Sequence, residues 1–493
     1  MEVAYPTALV TFFAFLAILV VITVYAGRRM AGVSVSKYVD DFYTAGRGMG
    51  AVVVAMIIAA GLCSAGTFLG GPGLIWQLGL AFALAVFAQI FATFLFLGEF
   101  GKKIGIVARR INAQSLVDIF MYRYEKSKVV VIGTVLAIVI FLGAYASSQF
   151  VGGGRILEVM TGFPYAWGLL IYGGIVVVYT SIGGIRGAAL AVLVQGSVMT
   201  IASFVLMFAG VHYTGGIEGT FKTIVERTPD IIAPAGSAHL SFEYILSLAL
   251  LFGVLAVALP HGLMSTLVYK STKALHRAII IGVVLFLVWT IGLMTMCGLA
   301  GKALNPELAV PDYSLPFLAF ASLPPAVAGI VLAGVAGAIQ STVGVMLIVI
   351  SAALVKNVYR TYINPGASDG LMKKVTVGTT AGVGLIIFAT AFSAPPALQL
   401  IVIFAVGGLA AAFFAPLMAM FWPRGNQYGA IAAIYGGVAY YILAKRFVTS
   451  MALGVDPIAM ATLTSIILMV VVSLLTPKPS RETLQLFWGK SRV

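Results

Sequence analysis

Five residues in two apolar stretches of the chain have the types and spacing of a cation site. Ala338, Ser341 and Thr342 follow an i, i+3, i+4 pattern, so in a helix they share one face that offers a carbonyl and two hydroxyls. Ala60 and Cys63 precede a run rich in Gly, Ser and Thr, and a helix that unwinds there frees their carbonyls from the usual donors. Such neutral oxygens bind hard cations. The plainer interpretation is that each hydroxyl bonds to the carbonyl four residues back.

The residues that follow the first break are candidates for solute binding. Unwound backbone and hydroxyls at Ser64, Ala65, Gly66 and Thr67 would line a central cavity. A second break is predicted at residues 259–262 (LPHG), because proline removes a backbone donor and clashes with the preceding turn. His261 at this break either holds the broken helix together or serves the solute as a hydrogen-bonding group or pH-dependent gate.

Four amides and one arginine also lie within or at the end of apolar stretches. A buried amide is costly unless it is hydrogen-bonded, so Gln89, Gln149, Gln195 and Gln340 each need a helix partner or a ligand. Gln89 and Gln149 are retained as solute-binding candidates. Arg155 lies near the end of the fourth apolar stretch, where it either binds an anionic carboxylate or extends to the membrane surface, as arginines at span ends commonly do.

The composition places these residues in a membrane protein. Of 493 residues, 61% are hydrophobic and 9% are charged, whereas a soluble domain carries roughly 25% charged residues. A net charge of +14 would suggest nucleic acid as the partner of a soluble chain. Here the basic residues form short clusters between apolar stretches, which is typical of contact with a lipid bilayer and not with nucleic acid. Both cysteines lie inside apolar stretches, so neither a disulfide framework nor a zinc site is predicted.

A membrane-crossing helix needs about 20 apolar residues, and the chain contains thirteen stretches of that kind. One polytopic membrane domain over residues 1–493 is therefore predicted, and an odd number of spans puts the termini on opposite sides. The predicted spans are 6–27, 49–73, 78–99, 129–152, 163–182, 187–211, 241–268, 277–300, 326–355, 375–393, 397–422, 428–444 and 457–476.

Charge placement orients these spans in a cell membrane. One set of alternate loops holds all but six of the 30 Lys and Arg residues. The positive-inside rule then puts the N-terminus outside and the C-terminus in the cytoplasm. No Asp or Glu is predicted at mid-bilayer depth, although proton-coupled transporters commonly use such residues. This absence counts against a carboxylate-based proton mechanism and favours sodium, which would have to bind to neutral oxygens.

The two predicted breaks fall in the second and seventh spans, five spans apart. If each opens a five-helix repeat, the second repeat is inverted relative to the first, and paired interrupted spans mark the central site of many transporters. For either break taken alone, a simple kink in a packed helix is the plainer interpretation.

Five motifs in order along the chain give a resemblance to a known family. The chain resembles the sodium:solute symporter family and, within it, the bacterial sodium/pantothenate branch. The motifs are residues 42–47 (FYTAGR), 68–73 (FLGGPG), 149–155 (QFVGGGR), 259–261 (LPH) and 269–277 (YKSTKALHR).

This resemblance implies an all-α, leucine-transporter-type fold with an inverted five-plus-five helix core over 49–422, and peripheral segments at 1–48 and 423–493. It implies sodium as coupling ion, no other cofactor, and sodium ligands at Ala60, Cys63, Ala338, Ser341 and Thr342. The implied function is import of pantothenate or a related carboxylate.

Two positions depart from the family pattern. Val192 stands where many members carry Asp, and Ser265 where an Arg is expected in the pantothenate branch. The alternatives are a symporter for another monocarboxylate or an amino acid, or a polytopic membrane enzyme or sensor. A membrane enzyme would show clustered His, Asp or Glu near one membrane surface, and no such cluster stands out in the sequence.

Overall fold

The computed structural model describes residues 5–31, 42–393, 397–447 and 455–489, and in these ranges the chain is helical apart from turns and one isolated bridge between Met49 and Tyr269. Seven helical segments of the described chain are uninterrupted, long and apolar enough to cross a membrane by themselves. Shorter apolar helical stretches lie at Pro6–Leu19, Leu80–Ile90, Tyr165–Val178 and Phe242–Gly253.

The helices follow the predicted spans closely along the chain. In the first half they are α1 (Pro6–Ala31), α2 (Ala51–Leu62), α3 (Gly71–Leu78), α4 (Leu80–Ile111), α5 (Leu116–Arg123), α6 (Lys128–Thr161), α7 (Tyr165–Tyr213) and α8 (Gly216–Arg227). In the second half they are α9 (Phe242–Gly253), α10 (Pro260–Val268), α11 (Thr272–Leu304), α12 (Ser314–Ser322), α13 (Pro325–Ile363), α14 (Asp369–Ser393), α15 (Leu398–Ala419), α16 (Gln427–Phe447), α17 (Pro457–Leu475) and α18 (Arg481–Trp488).

Helix α7 contains two predicted spans, because its backbone stays helical through the segment that the sequence assigned to a loop. Its two halves nevertheless contact the same level of α13. Tyr172 Oη donates to the Ala336 carbonyl at 2.9 Å, and the Gln195 side chain lies against Gly337. In a straight helix, 23 residues would separate those two side chains by roughly 35 Å. The helix therefore bends between Tyr172 and Gln195, so that both halves pack against the same part of α13.

Both predicted breaks are present. After α2 the backbone of Cys63 is extended (φ −88°, ψ 113°), and Gly66–Gly70 form a widened π-helical turn before α3. After α9 a short 3₁₀ segment, Leu255–Ala258, ends at Leu259, which is also extended (φ −73°, ψ 115°). Pro260 then starts α10, a position where its missing N–H forfeits no helical hydrogen bond.

Small residues bring the two broken helices into the same central region. A Cβ atom on Gly152 of α6 would lie 2.7 Å from Ala65 Cβ, and one on Gly262 of α10 would lie 3.2 Å from the Leu62 side chain. Helices in lipid pack closely where glycines allow it. The extended backbones at Cys63 and Leu259 are thus enclosed by neighbouring helices and shielded from lipid.

Candidate functional site

The break after α2 meets α13 through hydrogen bonds between neutral oxygens. Thr342 Oγ1 lies 3.1 Å from the Cys63 carbonyl and 3.1 Å from the Ala338 carbonyl. Ser341 Oγ donates to the same Ala338 carbonyl at 2.7 Å. All four residues are buried. The structure thus brings the Cys63 carbonyl against the helix face that Ala338, Ser341 and Thr342 share.

The extended backbone at Cys63 is what makes its carbonyl available. In an unbroken helix the Thr67 N–H would bond to that carbonyl, but it donates to the Ser64 carbonyl at 2.9 Å. The Ser64 N–H, which would reach Ala60, lies 3.4 Å from Thr67 Oγ1. Ala60 belongs to the last turn of α2, and its side chain lies outside the described set.

This oxygen cluster has the chemistry of a site for a hard monovalent cation. Its donors are carbonyls and hydroxyls, and no group of three or more His, Cys, Asp or Glu side chains occurs in the described ranges. The hydroxyls of Ser341 and Thr342 donate to carbonyls here. Rotation of each hydroxyl about its C–O bond would turn an oxygen lone pair toward a cation, so these residues fit sodium. Their role as ligands stays a prediction.

A cavity lies beside the oxygen cluster, between the two broken helices. Its volume is about 20 Å³, which is room for about one water molecule, whereas small-molecule sites occupy roughly 300–1,000 Å³. The structure is therefore closed around this point, and the helices must separate for a solute to enter. The lining residues are Leu62, Ser64, Gly66, Thr67, Val86, Gln89, Tyr145, Phe252, Ala256, Leu259, Met294, Gln399, Val402 and Val406.

Four of the predicted solute-binding residues line this cavity, namely Ser64, Gly66, Thr67 and Gln89. Ser64 and Thr67 carry the hydroxyls of the broken helix, and Gln89 reaches the cavity from α4, where it is 8% exposed. No charged side chain is among the lining residues. Any solute held here is met by hydroxyls, amides and apolar groups.

Ala65 and Gln149 do not line the cavity, and the structure shows why. The Ala65 N–H, left without a helical acceptor by the break, donates to Gln149 Oε1 at 2.7 Å. Gln149 Nε2 in turn donates to Ser148 Oγ at 2.8 Å and to the Tyr145 carbonyl at 3.2 Å. Gln149 thus caps the start of the widened helix, the structural alternative that the sequence left open.

His261 and Arg155 are also outside the cavity. His261 is fully buried and packs edge-on against the Tyr145 ring at 5.4 Å between centroids. Arg155 Nη1 bonds to Glu158 Oε2 at 2.9 Å and to Tyr313 Oη at 3.2 Å. His261 therefore packs against Tyr145, which lines the cavity, and Arg155 is held by Glu158 and by Tyr313 of the segment between α11 and α12.

The structure adds two polar residues that sequence reasoning missed. Tyr145 Oη donates to Ser64 Oγ at 3.2 Å. Gln399, in the first turn of α15, is 3% exposed, and its Oε1 has no hydrogen-bond partner among the described residues. That oxygen would lie 2.6 Å from a Cβ atom placed on Gly66. Tyr145 could have been found from the sequence, because it lies four residues before Gln149 and so shares a helix face with it. Gln399 gave no such signal, since it lies close to the end of a predicted span.

The two positions that depart from the family pattern are buried as well. Val192 is 1% exposed and belongs to the apolar core. Ser265 Oγ donates to the Gly262 carbonyl within α10. Near Val192, Gln195 Nε2 lies 3.4 Å from Gln340 Oε1, so these two amides partner each other across α7 and α13.

A buried carboxyl lies at one end of the site, in the segment between α11 and α12. Asp312 is 1% exposed, and its Oδ2 accepts the Leu398 N–H at the start of α15 at 3.0 Å. Burial raises the pKa of Asp312 to about 7, although the Leu398 N–H and the nearby Arg155 charge both act to lower it. Gly73 of α3 lies under the same loop, because a Cβ atom there would be 2.7 Å from the Pro311 carbonyl.

Two interrupted helices that meet at a buried polar cavity beside a cluster of neutral oxygens define a multi-pass secondary transporter of the leucine-transporter type. The chain belongs to the sodium:solute symporter family, whose sequence profile matches residues 42–437.

Named relatives and a solved structure agree with this assignment. The sodium/pantothenate symporter of Escherichia coli (strain K12) is 35% identical over 461 residues, which is 92% of this chain and 93% of the relative. The corresponding protein of Haemophilus influenzae is 36% identical over 414 residues, or 82% and 84%. A Na⁺-coupled sialic acid symporter in a substrate-bound outward-open state shares the fold, with a TM-score of 0.80, 19% identity and coverage of 96% and 99%. These relatives are transporters and not enzymes.

Proposed function

We propose that this protein is a sodium-coupled symporter that imports pantothenate across the cell membrane. The observation that carries the proposal is the 3.1 Å contact between Thr342 Oγ1 and the Cys63 carbonyl exposed by the helix break. The sequence identity of 35–36% with two sodium/pantothenate symporters over most of both chains supports the choice of solute.

In this proposal sodium joins the broken helix to α13. Ala60, Cys63 and Ala338 would supply carbonyl oxygens, and Ser341 and Thr342 would supply hydroxyl oxygens. Because Cys63 and Thr342 belong to different helices, a cation bound between them fixes the position of α2 against α13. Sodium then stabilises the outward-open form in which the solute site is accessible, and solute binding allows closure.

The solute would be held by neutral groups in the central cavity. Pantothenate carries hydroxyls, an amide and a carboxylate, which match the hydroxyls of Ser64, Thr67 and Tyr145 and the amides of Gln89 and Gln399. The backbone N–H groups after the break are already used, since Ala65 donates to Gln149 and Gly66 donates to Ser64 Oγ at 3.0 Å. The carboxylate is therefore met by side-chain donors.

The same proposal includes the organisation and orientation of the chain. Residues 49–422 would form the inverted-repeat core, and residues 1–48 and 423–493 the peripheral segments. Matched breaks after Leu62 and Ala258 support this division. The distribution of basic residues supports an external N-terminus and a cytoplasmic C-terminus.

Uptake into proteoliposomes tests the choice of solute. Purified protein is reconstituted, and labelled pantothenate, acetate and proline are supplied in separate assays with an inward sodium gradient or with potassium in its place. We expect accumulation of pantothenate only with the sodium gradient. If acetate or proline accumulates as strongly as pantothenate, the proposed choice of solute is wrong. If accumulation is the same with potassium in place of sodium, the proposal of sodium symport is wrong.

A further inference from the structure

A cleft with two exposed cations lies at the C-terminal end of α4. Its volume is about 250 Å³, and this basic cleft is separate from the central cavity. Its walls combine charged, aliphatic and aromatic side chains, namely Lys103, Ile106, Val107, Arg110, Phe421, Phe487 and Trp488.

One face of α4 supplies the first wall. Lys103, Ile106, Val107 and Arg110 follow i, i+3, i+4, i+7 spacing, which places them along one helix stripe. The 32 residues of α4 span roughly 48 Å, which exceeds the roughly 30 Å of hydrocarbon. The last turns of α4 therefore carry the two cations beyond the hydrocarbon, with the aliphatic side chains between them.

The C-terminal helix α18 supplies the opposite wall. Phe487 and Trp488 lie at its end, and Arg110 Nη1 donates to the Leu486 carbonyl at 3.4 Å. Tryptophan is enriched where headgroups meet hydrocarbon. An aromatic wall facing an aliphatic and cationic wall is suited to a ligand with a charged head and an apolar body.

The electrostatics of the basic cleft favour an anion. Lys103 Nζ lies 3.5 Å from Glu99 Oε1, but both side chains are well exposed (48% and 70%), so this ion pair is weak. Behind the aromatic wall, the guanidinium carbon of the buried Arg123 is 5.3 Å from the Trp488 ring. Its Nη1 has no hydrogen-bond partner among the described residues. The rings of Phe487 and Trp488 therefore have positive charge on both sides, from Lys103 and Arg110 in the cleft and from Arg123 behind it.

We propose that the basic cleft binds the headgroup of an anionic phospholipid from the surrounding leaflet. The phosphate lies between Lys103 and Arg110, and an acyl chain follows Ile106 along α4 into the bilayer. Basic pockets between helices at a membrane surface bind such headgroups. A free anion would leave the apolar walls without a function, and a neutral lipid would leave the charges unmatched. The bound lipid holds α18 against α4.

Quenching of tryptophan fluorescence by phosphatidylglycerol with brominated chains tests this site. The lipid is titrated into purified protein in detergent, with brominated phosphatidylcholine as the neutral comparison. We expect saturable quenching by phosphatidylglycerol, and loss of the saturable part in Trp488→Phe. Each basic residue near an anionic surface contributes about a fivefold change in affinity, so Lys103→Gln with Arg110→Gln should weaken binding roughly 30-fold.

A matched control is the exposed pair Lys273 and Arg277 on α11. Lys273→Gln with Arg277→Gln removes the same charge and should leave the affinity unchanged. Equal quenching by phosphatidylcholine, or equal weakening in the control pair, overturns the proposal. Displacement of the quencher by inorganic phosphate at millimolar concentration would also overturn it, because a free anion would then be the ligand. The single variants Lys103→Gln and Arg110→Gln repeat the measurement if the double variant does not fold.

Discussion

Gln399 stands closest to the widened turn of the broken helix, and its amide oxygen is buried with no partner among the described residues. A buried oxygen of this kind is costly unless a ligand or water supplies a donor. We therefore expect Gln399→Met to raise the pantothenate concentration for half-maximal uptake by up to roughly tenfold, the value of one hydrogen bond. The sodium concentration for half-maximal uptake should stay the same.

The matched control for this change is Gln77→Met, because the side chain of Gln77 is exposed at the end of α3. Uptake kinetics are measured for both variants in proteoliposomes. An unchanged pantothenate affinity in the Gln399 variant, or an equal loss in the control, would remove Gln399 from the solute site.

Gln149 should behave differently, because its amide caps backbone and does not line the cavity. Gln149→Met leaves the Ala65 N–H without its acceptor, which costs about 1–3 kcal/mol of stability. The expected result is a lower unfolding temperature in detergent, with unchanged pantothenate affinity in the protein that remains folded. If the variant has normal stability but has lost pantothenate affinity, Gln149 is part of the solute site and this prediction is wrong.

At the scale of the helices, close approach between α6 and α7 depends on Gly153. A Cβ atom there would lie 2.1 Å from the Tyr172 ring, whereas one on Gly174 would meet nothing within 4 Å. Overpacking of this kind costs about 1–3 kcal/mol. Gly153→Ala should therefore lower the unfolding temperature in detergent, and Gly174→Ala, the same change on the neighbouring helix, should leave it nearly unchanged. Equal temperatures for the two variants would contradict the packing described here.

Much of this helical framework was predictable, because its causes are local. Apolar length marks each span, and Pro260 marks the start of α10. The face shared by Ala338, Ser341 and Thr342 follows from helix geometry alone. The continuous helical backbone of α7 was not predictable, since its Gly-rich connection reads as a loop.

Only some of the residues that line the cavity could be predicted, because only those have positions set by the local sequence. Ser64, Gly66, Thr67 and Gln89 lie on or opposite the break and reach the cavity. Helical spacing could not show whether Gln149 faces the cavity or the backbone. The outcome depends on the Ala65 N–H, which the break after α2 leaves without a helical acceptor. Gln399 enters the site only through the way α15 packs against the break.

At the scale of the whole molecule, the segment between α11 and α12 buries a carboxyl whose pKa lies near neutrality. Burial raises the pKa of Asp312 to about 7 from an ordinary value of 3.8, so folding favours the neutral form of this carboxyl. Its contribution to stability is fully present below pH 3.8 and is lost as the pH rises through about 7. The unfolding temperature of the wild type should therefore fall between pH 5 and pH 8 relative to Asp312→Asn, and thermal unfolding in detergent measures it.

Asp230→Asn is the control for this pH dependence, because Asp230 is exposed in the segment between α8 and α9. It should follow the wild-type pH profile. The account of Asp312 is wrong if the Asp312 variant and the wild type have parallel profiles over this range.

The most direct test of the central claim is the sodium dependence of pantothenate uptake when the hydroxyls of Ser341 and Thr342 are removed. Hydrogen bonds to charged groups are worth about 1.5–3 kcal/mol, so Ser341→Ala with Thr342→Ala should raise the sodium concentration for half-maximal uptake by roughly tenfold or more. Ser197→Ala with Thr464→Ala removes two exposed helical hydroxyls that bond four residues back, and it should match the wild type. Undiminished sodium affinity in the Ser341 and Thr342 variant would contradict the proposed site.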